Sequence, residues 1–184
     1  MMYMHHRSRI HMLGWMFASL LLFPVPAYSE VIQGFRDLKF GMTERDVQAL
    51  EHCNTSSECL YELAGKNRYL QPFYAKHTPN GQSPPTLAKI SIEMGRFTNE
   101  WYEELQIRLL DQYQATYDLT DRDIAAFQNE QQSELTSVYE NGHVLLKVVR
   151  RKFGNLILEV VYQNADLAKE ALQDHKPQPK AALQ

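Results

Sequence analysis

The most regular alternation of apolar and polar positions runs through residues 135–162, LTSVYENGHVLLKVVRRKFGNLILEVVY, and predicts three consecutive antiparallel strands. Two turn signals divide the stretch. Asn141-Gly142 is the strongest short-range hairpin dipeptide, because both residues tolerate positive φ, and Phe153-Gly154-Asn155 offers a second turn. A two-residue turn at Asn141-Gly142 sets Tyr139 opposite Val144, Ser137 opposite Leu146 and Leu135 opposite Val148, on a face that is apolar apart from Ser137. A three-residue turn after Lys152 adds Leu156, Leu158, Val160 and Tyr162 to that face and keeps Glu159 off the core. The opposite face then carries Thr136, Val138, Leu145, Lys147, Val149, Arg151, Ile157, Glu159 and Val161, in which branched apolar residues are interleaved with charges.

Helical spacing and capping signals place the remaining elements. Thr43 with Asp46 forms a capping box, which starts a helix running to about His52 and burying Val47 and Leu50. Residues 87–94 alternate, with Ile90 and Ile92 on one side and Lys89, Ser91 and Glu93 on the other. Asn99 caps a helix over 99–114, where Trp101, Leu105, Leu109 and Tyr113 form the apolar stripe and Glu100, Glu103 and Glu104 complement the positive end of the dipole. A second capping box, Thr120 with Asp123, starts a short helix burying Ile124 and Phe127, and a last helix covers 165–172. Residues 60–76 are rich in aromatics without a clean period, and 77–85, HTPNGQSPP, read as a loop. The fold expected from this pattern is α+β: an antiparallel sheet of about four strands, helices packed on one face, and one disulfide.

The first 29 residues change the picture of where the chain works. A basic, His-rich start, an apolar run from Met12 to Phe23 and a small-residue end, Ala27-Tyr28-Ser29, make the three-part secretory pattern. The run is 12 residues, short of the roughly 20 needed to cross a bilayer. Residues 1–29 are therefore expected to be a signal peptide cleaved near Ser29-Glu30, giving a periplasmic or secreted protein with no transmembrane helix in its mature form. Residues 30–173 are read as a single α+β domain and 174–184, which are Pro-punctuated, as a disordered tail.

The chain has 19 Lys and Arg against 22 Asp and Glu; removing Arg7 and Arg9 with the signal peptide leaves 17 against 22. That acidic balance argues against nucleic acid as a partner. Cys53 and Cys59, the two cysteines, flank a small polar loop in a chain bound for an oxidising compartment, so a disulfide is expected. The rival, a metal site on His52, Cys53 and Cys59, fits no common zinc spacing.

Phe40-Gly41-Met42-Thr43 followed by Asp46-Val47 resembles the helix start of BamE-like (SmpA/OmlA-type) bacterial envelope proteins. The resemblance covers about a dozen residues and implies a non-enzymatic envelope protein that works by contacting other proteins. It transfers no functional residues, and the chain lacks the lipid-bearing cysteine of BamE itself.

No catalytic or cofactor motif is present: the four histidines beyond the signal peptide, His52, His77, His143 and His175, are scattered, and there is no Gly-x-Ser-x-Gly, phosphate-cradling glycine loop or Cys-x-x-Cys. Arg150-Arg151-Lys152 reads as edge protection or as a docking spot for an anionic partner. The reading that follows is a non-catalytic protein, with no cofactor and no metal, that binds another envelope protein or peptide. Its working surface is expected on the amphiphilic sheet face at Val138, Lys147, Val149, Arg151, Glu159 and Val161. The alternatives are a small-ligand or lipid carrier with an aromatic pocket near 61–74, and an enzyme of unrecognised type.

Overall fold

An eight-stranded antiparallel sheet forms the body of the protein in a computed structural model that describes residues 32–75 and 84–174. The expected signal peptide, positions 77–83 of the expected loop and the tail beyond Asp174 lie outside the described residues. The elements in chain order are β1 (Gly34–Phe35), β2 (Leu38–Lys39), α1 (Glu44–Gln48), β3 (Cys53–Thr55), β4 (Glu58–Leu63), β5 (Lys66–Ala75), β6 (Thr86–Arg96), α2 (Asn99–Leu110), β7 (Ala115–Tyr117), α3 (Asp121–Gln128), β8 (Glu134–Tyr139), β9 (Val144–Arg150), β10 (Leu156–Gln163) and α4 (Ala165–Asp174). In space the large sheet runs β3-β4-β5-β6-β10-β9-β8-β7, and β1 with β2 makes a separate two-stranded ribbon.

The sheet of about four strands expected from the sequence is thus corrected to eight. The missed strands are β3, β4, β5 and β7. β4 and β5 form a hairpin through Ala64-Gly65, both at positive φ, and β5 carries large side chains on both faces: Leu70 is buried in the core while Tyr69 and Phe73 stand outward. Aromatics on both faces erase the period-2 hydropathy signal, which is why the stretch shows no period.

Register over β8–β10 follows the alternation. Leu135 pairs with Val148, Ser137 with Leu146 and Tyr139 with Val144, as the expected turn requires, although Glu140–Gly142 form a 3₁₀ turn. The second turn begins one residue early, at Lys152–Gly154 between Arg151 and Asn155, so that Leu158 meets Val148 and Val160 meets Leu146. A shift of this kind changes the partners by two positions and leaves each side chain on its expected face.

The main core is built on that face. Val47 of α1, Leu105 and Leu109 of α2 and Phe127 of α3 pack with Leu70, Ile90, Ile92, Leu146, Leu158 and Val160 of the sheet. Buried polar groups there are matched: Ser137 shares a hydrogen bond with Tyr102 (3.0 Å), and the Trp101 indole donates to the Met94 carbonyl (3.0 Å). Both capping boxes form. Helix boundaries are corrected: α1 stops at Gln48 after five residues rather than reaching His52, Thr98 rather than Asn99 caps α2, and α2 ends at Leu110 rather than at 114.

Helices also do not keep to one face. α4 lies on the other side, where Ala171 and Leu172 pack over Val138, Leu145 and Val161 in a second, smaller core. Its start is tied to the β8–β9 turn by Gln163, which is buried and donates to the carbonyls of Gly142 (2.7 Å) and Leu167 (3.2 Å).

Candidate functional site

Among the described residues, α4 packs over part of the second sheet face, whose register sets its side chains in rows. One row reads Thr136, Lys147, Glu159, Glu93 across β8, β9, β10 and β6; the next reads Val138, Leu145, Val161, Ser91, Gln71; a third ends in Gln163, Lys89, Phe73. α4 covers the β8–β10 end of the second row. Beyond it, on β5, Tyr69 and Phe73 are 55 % and 41 % exposed, with exposed Gln71 between them.

The six residues expected to form a working surface therefore divide. Val138 and Val161 are buried under α4. Lys147, Val149 and Glu159 are half-buried and Arg151 is exposed, all on the same face. Their charges are met within the protein: Lys147 Nζ lies 2.7 Å from Glu134, and Glu159 accepts from both Arg151 and the Ser91 hydroxyl. Charges paired in this way form a polar lattice over the sheet, and each exposed pair adds little stability.

Lys89 is the electrostatically loaded member. Burial pushes its pKa down, Lys147 nearby pushes it the same way, and Glu159 and Glu134 oppose them. Its ammonium sits 4.2 Å from the centroid of the Phe73 ring, a cation–π contact that orients the ring on the open strip.

The aromatics of 61–74 do not converge on one pocket. Tyr61 is in the core, where its hydroxyl donates to Asp37; Tyr74 is half-buried and donates to the Ser56 carbonyl (2.6 Å); Tyr69 and Phe73 stand on the opposite face. Burial pushes the Tyr74 phenol up to about 12 and Tyr61 higher still, so both stay protonated hydrogen-bond donors at neutral pH.

Cys53 and Cys59 are bonded to each other across the β3–β4 hairpin, where they are direct cross-strand partners. That bond removes both thiols from the rival metal set, and the His52 ring packs at a tilt against Tyr61, with centroids 4.9 Å apart. Among the described residues no group of three or more His, Cys, Asp or Glu is placed to hold a metal ion, and no helix is long and apolar enough to cross a membrane.

The sequence reading places Tyr69 and Phe73 in the expected aromatic pocket of 61–74 instead of on an open strand face, and does not single out Gln71. Their signal is the spacing of two, which puts all three on one side of a strand once 66–75 is recognised as one. Comparison of the chain with family models, with curated proteins and with solved structures finds no match.

Proposed function

We propose that this is a non-catalytic periplasmic or secreted protein that docks another envelope protein on the open half of its second sheet face. The observation that carries the reading is the exposed pair Tyr69 and Phe73, held on one side of β5 beside Lys89 and Glu93. Rigid strands present these rings at low entropic cost, and aromatic anchors ringed by polar groups are the composition of an interface centre.

The chemistry of the partner follows from charge. On this face Lys89, Lys147 and Arg151 balance Glu93, Glu134 and Glu159, so neither a polyanion nor a uniformly charged surface gains from it. A protein patch with an apolar centre and a rim of both signs does. Strand addition at a sheet edge is the weaker route, because the edge strands β3 and β7 have three residues each. The resemblance of the Phe40-Gly41-Met42-Thr43 stretch to BamE-like proteins, and the targeting pattern of residues 1–29, support the envelope setting.

The test is a photo-crosslinking amino acid placed at Tyr69, at Phe73 and, as controls, at Ile107 and Phe153, in cells that secrete the protein. The reading expects one adduct of a single identified protein at positions 69 and 73 and none at the controls, and loss of the position-69 adduct when Phe73→Ser is added. The purified adduct partner should then bind the mature chain directly and bind Phe73→Ser at least about tenfold more weakly. Equal crosslinking at all four positions would sink the proposal.

A further inference from the structure

A groove of about 480 Å³ opens at the end of the sheet where β6 runs into α2, away from the face that bears Tyr69 and Phe73. Its charged lining is Lys66, Arg68, Arg96 and Arg108 against the single carboxylate of Glu104, four positive groups against one negative in a chain whose formal net charge is −3. Concentrating positive charge in a concave site of an acidic protein focuses the field on an anionic ligand.

The walls are set by the fold. Lys66 and Arg68 pair across β4–β5 with Leu63 and the core-facing Tyr61, so they rise on the side that α2 covers. Trp101, Glu104 and Arg108 follow at i, i+3 and i+7 on α2 and form the opposite wall. Arg108 gives Nε (3.1 Å) and Nη2 (2.7 Å) to Glu104, which fixes the guanidinium and leaves Nη1 over.

The cations on the strand side are unmet. Among the described residues no carboxylate lies within 4.0 Å of Lys66, Arg68 or Arg96. Arg68 Nε is buried and makes no hydrogen bond within the protein, which leaves the guanidinium without a partner on that atom beside the groove. The guanidinium lies against Gly95, where a Cβ would stand 3.3 Å from Nη1, so the glycine gives the arginine its room.

We infer that this groove binds a phosphomonoester through Lys66 and Arg68, with Arg96 and Arg108 completing the charge. A terminal phosphate offers three acceptor oxygens and close to two negative charges, which suits donors converging from two walls. A carboxylate offers one charge and two coplanar oxygens. The same group is found on soluble phosphate esters and on the headgroup of phosphatidic acid, and the groove recognises what they share.

The experiment uses the chain from Glu30 to Gln184, which contains every described residue and omits the apolar run of 12–23, since that run would itself partition into vesicles. Calorimetric titration with inorganic phosphate and with glycerol 3-phosphate is set beside sedimentation with phosphatidylcholine vesicles with and without phosphatidic acid. One saturable site is expected for at least one phosphomonoester probe, weakened about tenfold or more by Lys66→Gln and by Arg68→Gln, since each removes a charge-assisted hydrogen bond. Arg122→Gln, an exposed cation on α3 outside the groove, should bind as the parent does. Binding of inorganic phosphate or glycerol 3-phosphate identifies a free ligand, and binding confined to phosphatidic acid vesicles identifies a headgroup. Absence of saturable binding to every probe, or a loss in Arg122→Gln equal to that in Lys66→Gln, overturns the assignment. Lys66 is exposed, so its variant keeps the test valid if Arg68→Gln does not fold.

Discussion

Gly142 lies so close to Ala168 that a Cβ added at position 142 would stand 2.5 Å from the Ala168 carbonyl oxygen, and its φ of +90° is one that other residues rarely adopt. The glycine that the sequence offered as half of a turn signal is therefore also the seat of α4. Gly142→Ala should cost about 2 kcal/mol or more through strain and displacement of the helix. Urea unfolding measures the loss, and faster hydrogen exchange should appear at the α4 amides first. An unchanged midpoint would mean that α4 does not pack on the turn.

The two cores give three valine and leucine positions different weights. Leu146, fully buried, should cost about 2 to 4 kcal/mol as Leu146→Ala. Val138→Ser should also be costly, about 1 to 3 kcal/mol, because Val138 is fully buried beneath α4 and the new hydroxyl would enter an apolar site. Val149 is half-buried outside both cores, and Val149→Ser should cost under about 1 kcal/mol. Thermal unfolding of the three variants ranks them; a Val149→Ser loss equal to that of Leu146→Ala would place that position in a core.

The contrast between Val138 and Val149 also marks what was legible in the sequence. Alternation with a period of two assigns faces, and the faces of β8, β9 and β10 were readable even though the second turn begins a residue early. Whether a face is covered depends on another element. The apolar side of α4 is short, Ala168, Ala171 and Leu172, and nothing local states which sheet face it will meet. β5 was unreadable for a different reason, since Tyr69 and Phe73 on the open face mimic core residues and Ala64 at φ 51° takes a turn conformation without a turn residue's signature. The phosphate groove was beyond reach, because Lys66 and Arg68 meet Arg108 only through the packing of α2 on the sheet.

The Cys53–Cys59 bond joins cross-strand partners at the edge of the sheet and closes a loop of sequence separation 6. In the chain-entropy picture so short a loop stabilises by about 2 kcal/mol. The double variant Cys53→Ser, Cys59→Ser should therefore fold and melt lower by that margin, as read by denaturant titration. Failure to fold would mean that β3 and α1 depend on the bond for their docking.

Asp46 accepts from the Thr43 backbone amide (2.9 Å) and hydroxyl (2.8 Å), and these bonds, the backbone one first, hold its carboxyl below the usual value of 3.8. A depressed carboxyl pKa contributes stability that is present above the unfolded pKa and is lost as pH falls through the folded one. Asp46→Asn should thus lower Tm at pH 7, and the gap to the parent should close as the pH is taken from about 5 to below 3. A gap independent of pH would assign the effect to packing instead of charge.

Phe153 is fully exposed at the tip of the β9–β10 turn and sits at φ 69°, in the left-handed region that a bulky side chain enters only at a cost. Among the described residues it packs against nothing that would repay that cost, and the turn is already completed by the Gly154 amide donating to the Arg151 carbonyl (3.1 Å) and the Arg151 amide donating to the Asn155 carbonyl (2.8 Å). Asn and Gly adopt the same conformation readily. Phe153→Asn should therefore raise stability by about 0.5 to 1 kcal/mol and leave the Leu156 to Arg150 pairing intact. Denaturant titration reads the gain, and the cross-strand nuclear Overhauser contacts between β9 and β10 read the register. A loss of stability would show that the ring has a packing partner, and the same variant's retained crosslinking at Tyr69 would separate that structural role from the docking face.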